Sequence, residues 1–143
     1  MASKRIFVGL FLPASAAREL HTTVRGLLTG AGFRFVPPDE IHLTLRFLGD
    51  TEDAAIEEIR SALEGRLAGL CAPSLRIATT GAFPESGAAR ILWAGIEEDP
   101  GTEGRLAVRW RPLEVRLVES RPGQSGPARF PVIASFPLLP DSA

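Results

Sequence analysis

The stretch that most limits the fold is "RIFVGLFL", Arg5–Leu12. It is a continuous β-branched and aromatic run with no polar alternation, which predicts a strand buried on both faces inside a sheet. A chain that opens on an interior strand must supply neighbours for both of its edges. The rest of the sequence must therefore supply those neighbours and what covers the sheet. Pro13 follows the run and starts a helix, where its missing N–H costs nothing. In "ASAARELHTTVRGLL" the apolar stripe is Ala16, Leu20, Val24, Leu27 and Leu28 at helical spacing, stopped by Gly30 and Gly32.

"FRFV" is a short extended piece and "VPPDE" a turn. "IHLTLRFLG" (Ile41–Gly49) alternates, which predicts a strand with Leu43, Leu45 and Phe47 on one face and His42, Thr44 and Arg46 on the other. Gly49 and Asp50 end it. Thr51 is the expected N-cap of a second helix, with Glu52 and Asp53 at its positive end and Ile56, Ile59, Leu63 and Leu67 along its apolar stripe. "SLRIATTGAF" and "RILWAGI" read as strands joined by "PESGAA" as a hairpin-type loop. "EEDPGTEG" is an acidic surface connection. "PLEVRLVES" and "ARFPVIASFPL" read as two closing strands around "RPGQSGP". The order β-α-β-β-α-β-β-β-β is an α+β pattern, a mostly antiparallel sheet with helices on one face.

At 143 residues the chain suits one domain with its own core. A net charge of -1 gives no global basic field of the kind that marks a nucleic-acid binder. Cys71 is the single cysteine, so neither an intramolecular disulfide nor a cysteine-based zinc site is available. Two histidines without clustered carboxylates argue against a metal site, and no cofactor is expected. "IFVGLFL" reads as a strand rather than a leader, because Pro13 and a polar helix follow it. No apolar run is long enough to span a bilayer, so a cytoplasmic protein without membrane contact is expected.

His42, Thr44 and Arg46 form the best chemical constellation. An imidazole takes up a proton near pH 7, a hydroxyl two residues on shares its side, and a guanidinium extends the row toward a phosphate. The spacing alone equally fits a half-exposed strand whose histidine is structural. His21, in "HTTV", repeats His-x-Thr-x formally, but in a helix positions i and i+2 point apart. Ser86 and Ser125 sit in loops without a partner base and read as turn residues. The Arg105, Arg109, Arg111, Arg116, Arg121 and Arg129 series reads as a solvated face, and Trp93 and Trp110 as core aromatics.

"IHLTLRFLGD" resembles the first His-x-Thr-x motif of the LigT-like two-histidine phosphoesterases, the RNA 2',3'-cyclic phosphodiesterases also called 2'-5' RNA ligases. "KRIFVGLFLPASAARELH", "FRFVPPDEIHLTLRFLGDT", "GAFPESGAARILWAGIEED" and "LEVRLVESRPGQSGPARFPVIASFPL" resemble that family's segments in order. The resemblance implies a bilobal α+β fold, each lobe supplying one His-x-Thr-x strand to a cleft. It implies one histidine acting as base on water and the other protonating the leaving ribose oxygen, with threonines on the phosphate and no metal. In those terms His42 and Thr44 are the first catalytic pair; Arg46, from its place in the strand's polar row, is the expected substrate-binding residue. The family's second motif is expected between "ILWAGIEED" and the closing strands, where this chain has only "PGTEGRLAVRWRP". The expectation is a single domain, residues 1–143, internally deleted around 99–110 with one lobe shortened. The substrate implied is RNA or a nucleotide with a 2',3'-cyclic phosphate. Activity is expected to be impaired or to depend on a partner subunit; the alternatives are an inactive phosphate-binding descendant or a truncated remnant with a structural role or none.

Overall fold

A computed structural model describes residues 2–27, 37–83, 91–98, 108–124 and 128–140. The extended piece 33–36, the loop 84–90 with Ser86, the interval 99–107, Ser125 and the Trp93 side chain lie outside the described residues. The elements are β1 (Ser3–Phe11), α1 (Ala14–Leu27), a 3-10 turn (Pro38–Glu40), β2 (His42–Glu52), α2 (Asp53–Leu67), β3 (Leu75–Phe83), β4 (Ile91–Glu98), β5 (Val108–Trp110), β6 (Glu114–Glu119) and β7 (Val132–Pro137). The chain divides into two units, residues 1–72 with 112–143, and residues 73–111.

The larger unit is an antiparallel sheet in the order β2-β1-β6-β7 with two helices on one face, an α+β architecture as the sequence predicts. The apolar run of β1 occupies an interior position, and Ile6, Phe7, Val8 and Leu10 are all buried. Alternation sorts them. Ile6, Val8 and Leu10 face one way, with Leu117 opposite Val8; Phe7, Gly9 and Phe11 face the other, with Val118 and Arg116 opposite Phe7 and Gly9. Helix α1 begins after Pro13 as expected, with Ala17 N–H donating to the Pro13 carbonyl (2.9 Å), and it buries Ala16, Ala17 and Leu20. Helix α2 buries Ile56, and Ile59, Leu63 and Leu67 follow it along the less exposed stripe.

The start of α2 differs from the sequence reading. Strand β2 does not stop at Gly49–Asp50 but runs on to Glu52, and Thr51 caps nothing: its hydroxyl donates to the Gly49 carbonyl at 3.0 Å. The reason is two register shifts against β1. Thr44 pairs with Gly9 and Arg46 with Val8, so Leu45 is an extra residue; Phe47 pairs with Phe7 and Gly49 with Ile6, so Leu48 is another. Gly49 takes φ +75°, a conformation that suits glycine at a bulge. These bulges let an edge strand follow its twisted neighbour for 11 residues. Lys4 then reaches Asp53 at 2.8 Å, joining the start of β1 to the first turn of α2.

The smaller unit is a three-stranded antiparallel sheet in the order β4-β3-β5. The β3–β4 pairing is the hairpin that the sequence suggests. Strand β5 was not expected; Trp110 pairs there with Leu75 and is buried.

Candidate active site

His42 is the first residue of β2 and faces Phe11 across the strand pair. Three features fix its ring. The turn before it places the Glu40 carbonyl 2.7 Å from Nδ1. A carbonyl only accepts, so Nδ1 carries the proton, and in the neutral imidazole Nε2 keeps the lone pair. The rings of Phe7 and Phe11 lie nearly parallel to the imidazole at centroid distances of 5.0 and 4.8 Å. Phe130 meets it edge-on at 4.7 Å. Phe130 arrives from the β6–β7 connection, which is pinned by Arg121 N–H to the Arg129 carbonyl (3.0 Å) and Glu119 N–H to the Pro131 carbonyl (2.9 Å).

This enclosure has an electrostatic consequence. Burial among the rings pushes the His42 pKa below the ordinary histidine value. The Glu40 carbonyl, which favours the charged ring, works against that shift, as does the Glu40 carboxylate, while the Arg129 cation adds to it. His42 is thus neutral near pH 7, with one nitrogen committed and the other able to accept a proton.

Gly9 is part of the arrangement. A Cβ there would lie 3.0 Å from the Leu43 carbonyl oxygen and 3.1 Å from the Phe7 ring. Glycine therefore lets the Phe7 ring lie close over β1 and reach His42.

Of the residues singled out in the sequence, His42 and Thr44 share a face: their β1 partners are Phe11 and Gly9, and Thr44 is exposed. Arg46 does not share it. The extra residue Leu45 turns Arg46 to the face of Val8, and the second bulge leaves Phe47 opposite Phe7, on the side of His42. The strict alternation read from "IHLTLRF" is corrected by these bulges. Period-2 logic fails wherever one strand carries an extra residue. His21 lies on α1 and is half-buried, so it forms no second His-x-Thr-x strand.

Three arginines sit on aromatic rings of this unit, two of which, Arg116 and Arg129, the sequence suggests as part of a solvated face. The Arg116 guanidinium carbon lies 5.1 Å from the Phe11 centroid, that of Arg129 4.3 Å from Phe130, and that of Arg5 5.1 Å from Phe47. Arg116 and Arg129 are cations seated on rings that pack against His42, and Arg5 on the ring of Phe47 further along β2. The signal in the sequence was the adjacency "RF" in "ARFP" and the even spacing of Arg116 within "EVRLVE". Among the described residues no group of three or more His, Cys, Asp or Glu could hold a metal ion, and no helix is long and apolar enough to cross a membrane.

The chain is similar to known proteins in both sequence and fold. The family model "LigT like Phosphoesterase" matches residues 10–93. The RNA 2',3'-cyclic phosphodiesterase of Thermus thermophilus is 33% identical over 150 residues, spanning 90% of this chain and 74% of that protein. The enzyme of the same name from Archaeoglobus fulgidus is 31% identical over 105 residues, spanning 72% of this chain and 57% of its own length. The crystal structure of E. coli LigT with phosphate superposes with a TM-score of 0.72 at 20% identity, covering 97% of this chain and 99% of that one.

Proposed function

Since the chain belongs to the LigT-like phosphoesterase family, we propose that it is a hydrolase of the RNA 2',3'-cyclic phosphodiesterase type, opening the cyclic phosphate to a 2'-phosphate. The observation that carries this reading is the state of His42: neutral, tautomer-fixed by Glu40, and on one face with the Thr44 hydroxyl. That is the equipment of a general base beside a phosphate.

In the proposed reaction His42 Nε2 takes a proton from water as the water oxygen bonds to phosphorus. The bond from phosphorus to the ribose 3'-oxygen breaks, and the phosphate stays on the 2'-oxygen. Thr44 donates a hydrogen bond to a non-bridging oxygen. In-line displacement puts the leaving oxygen on the side away from the base, so His42 cannot protonate it in the same step. Solvent supplies that proton. A positioned acid is worth ~10²–10⁴-fold, and a chain that lacks a second His-x-Thr-x strand, shortened around residues 99–110, runs slower than a two-histidine enzyme by about that factor. The same equipment without turnover would make the chain a phosphate-binding descendant.

Hydrolysis of a 2',3'-cyclic mononucleotide decides between the two. Slow turnover giving the 2'-phosphate, abolished in His42→Ala, supports the hydrolase. Phosphate-dependent perturbation of His42 without turnover leaves the binder. A rate unaffected by His42→Ala contradicts both.

A further inference from the structure

A cyclic phosphate brings one negative charge to the site, and attack on it gathers more. Thr44 is neutral, and Arg46 faces the other way. The cations must come from elsewhere. Two arginines stand one ring away from His42, each on a different ring. Arg116 lies over Phe11, which stacks on His42, so its guanidinium carbon is within about 10 Å of the imidazole centroid. Arg129 lies over Phe130, whose edge meets His42, so it is within about 9 Å. A phosphate group hydrogen-bonded at both ends spans such a gap.

Their anchorage is independent. Arg116 comes from β6, in one cross-strand row with Gly9 and Thr44, and continues on β7 to Ser135. Gly9 contributes no side chain of its own, and the Phe7 ring lies over it, in the row between Thr44 and Arg116. Arg129 is held by its Nη1 donating to the Ser120 hydroxyl at 2.9 Å. A planar guanidinium seated on an aromatic ring keeps its in-plane N–H groups available for an oxyanion. One acid qualifies the pair: Glu114 lies 3.6 Å from Arg116 Nε, too far for a hydrogen bond but near enough to offset part of its charge.

We infer that Arg116 and Arg129 are the phosphate-binding residues of the His42 site, clamping the substrate's non-bridging oxygens from β6 and from the β6–β7 connection. This assignment rests on the reading of His42 as a phosphate site but not on turnover. Both arginines thus lie in the unit that carries His42.

The test uses the full chain with inorganic phosphate as the probe, read by the imidazole NMR shifts of His42, and in parallel hydrolysis of a 2',3'-cyclic mononucleotide. Arg116→Gln and Arg129→Gln are each expected to weaken phosphate binding about tenfold or more. The corresponding Lys variants keep part of the affinity, since charge survives and the fork is lost. Glu114→Gln is expected to tighten binding, because it frees the charge of Arg116. Arg121→Gln, on an exposed arginine paired with Glu119 at 3.1 Å, should change nothing. Melting temperatures and the preserved His42 tautomer exclude misfolding as the cause. The inference is overturned if both Gln variants bind phosphate within twofold of wild type, if Arg121→Gln weakens it equally, or if His42 never responds to phosphate. Turnover separates the two claims. A dead wild type with Arg-dependent phosphate binding sinks the hydrolase and keeps the clamp. A His42-dependent turnover indifferent to Arg116 and Arg129 keeps the hydrolase and sinks the clamp.

Discussion

The two faces of strand β1 both bury apolar side chains, and they are built for different ends. On one, Ile6, Val8 and Leu10 join Leu117 in an apolar layer whose members are at most 7% exposed. On the other, Phe7 and Phe11 are just as hydrophobic, but they pack against an imidazole and carry a guanidinium. The first face needs only shape and apolarity. The second uses the same apolarity to strip water from His42 and to seat cations where an anion would arrive. The aromatic rings thus serve two purposes: they are core, and they set the proton affinity of the base.

That contrast can be broken by substitution. Leu117→Ala empties a fully buried site on the apolar face and should cost about 2–5 kcal/mol of stability while leaving kcat/KM of the folded protein unchanged; denaturant titration and initial rates check both halves. A large rate effect would mean the faces are not separate. Gly9→Ala inserts a methyl against Phe7 and the Leu43 carbonyl. It should cost about 1–3 kcal/mol and also slow turnover, because relief requires the Phe7 ring to move off His42. Thr44→Val removes a hydroxyl from an exposed position of the edge strand. Its stability should be preserved while kcat/KM falls about tenfold, the worth of one hydrogen bond to a charged group.

Much of this was legible in the sequence, for a physical reason. The run Arg5–Leu12 could only be an interior strand, both helices followed from their stripes, and the pairing of His42 with Thr44 needed only local alternation. Arg46 was misplaced because a bulge is decided by the partner strand, and nothing in "IHLTLRF" reveals that Leu45 is unpaired. Arg116, Arg129 and Phe130 were missed because they are far from His42 along the chain and reach it only through β6 and its connection to β7. Sheet order, which creates such neighbours, is a long-range property.

A smaller effect sharpens the same comparison. Phe130→Ala opens one wall of the imidazole, so the His42 pKa should rise toward the ordinary histidine value, measurable by NMR titration. Stability should respond in parallel. His42 binds its proton less readily folded than unfolded, so its contribution is complete above the unfolded-state pKa, near 6.5, and is lost as pH falls through the lower folded-state value. Wild type should therefore lose stability on acidification over that window more steeply than Phe130→Ala.

The most direct measurement is kcat/KM for a 2',3'-cyclic mononucleotide as a function of pH. A neutral, buried His42 acting as the base predicts a rate that rises with pH through a single ionisation below the usual histidine range and then levels, with His42→Ala slow and flat throughout. A rate that falls through that ionisation, or a profile that survives His42→Ala, would contradict the account.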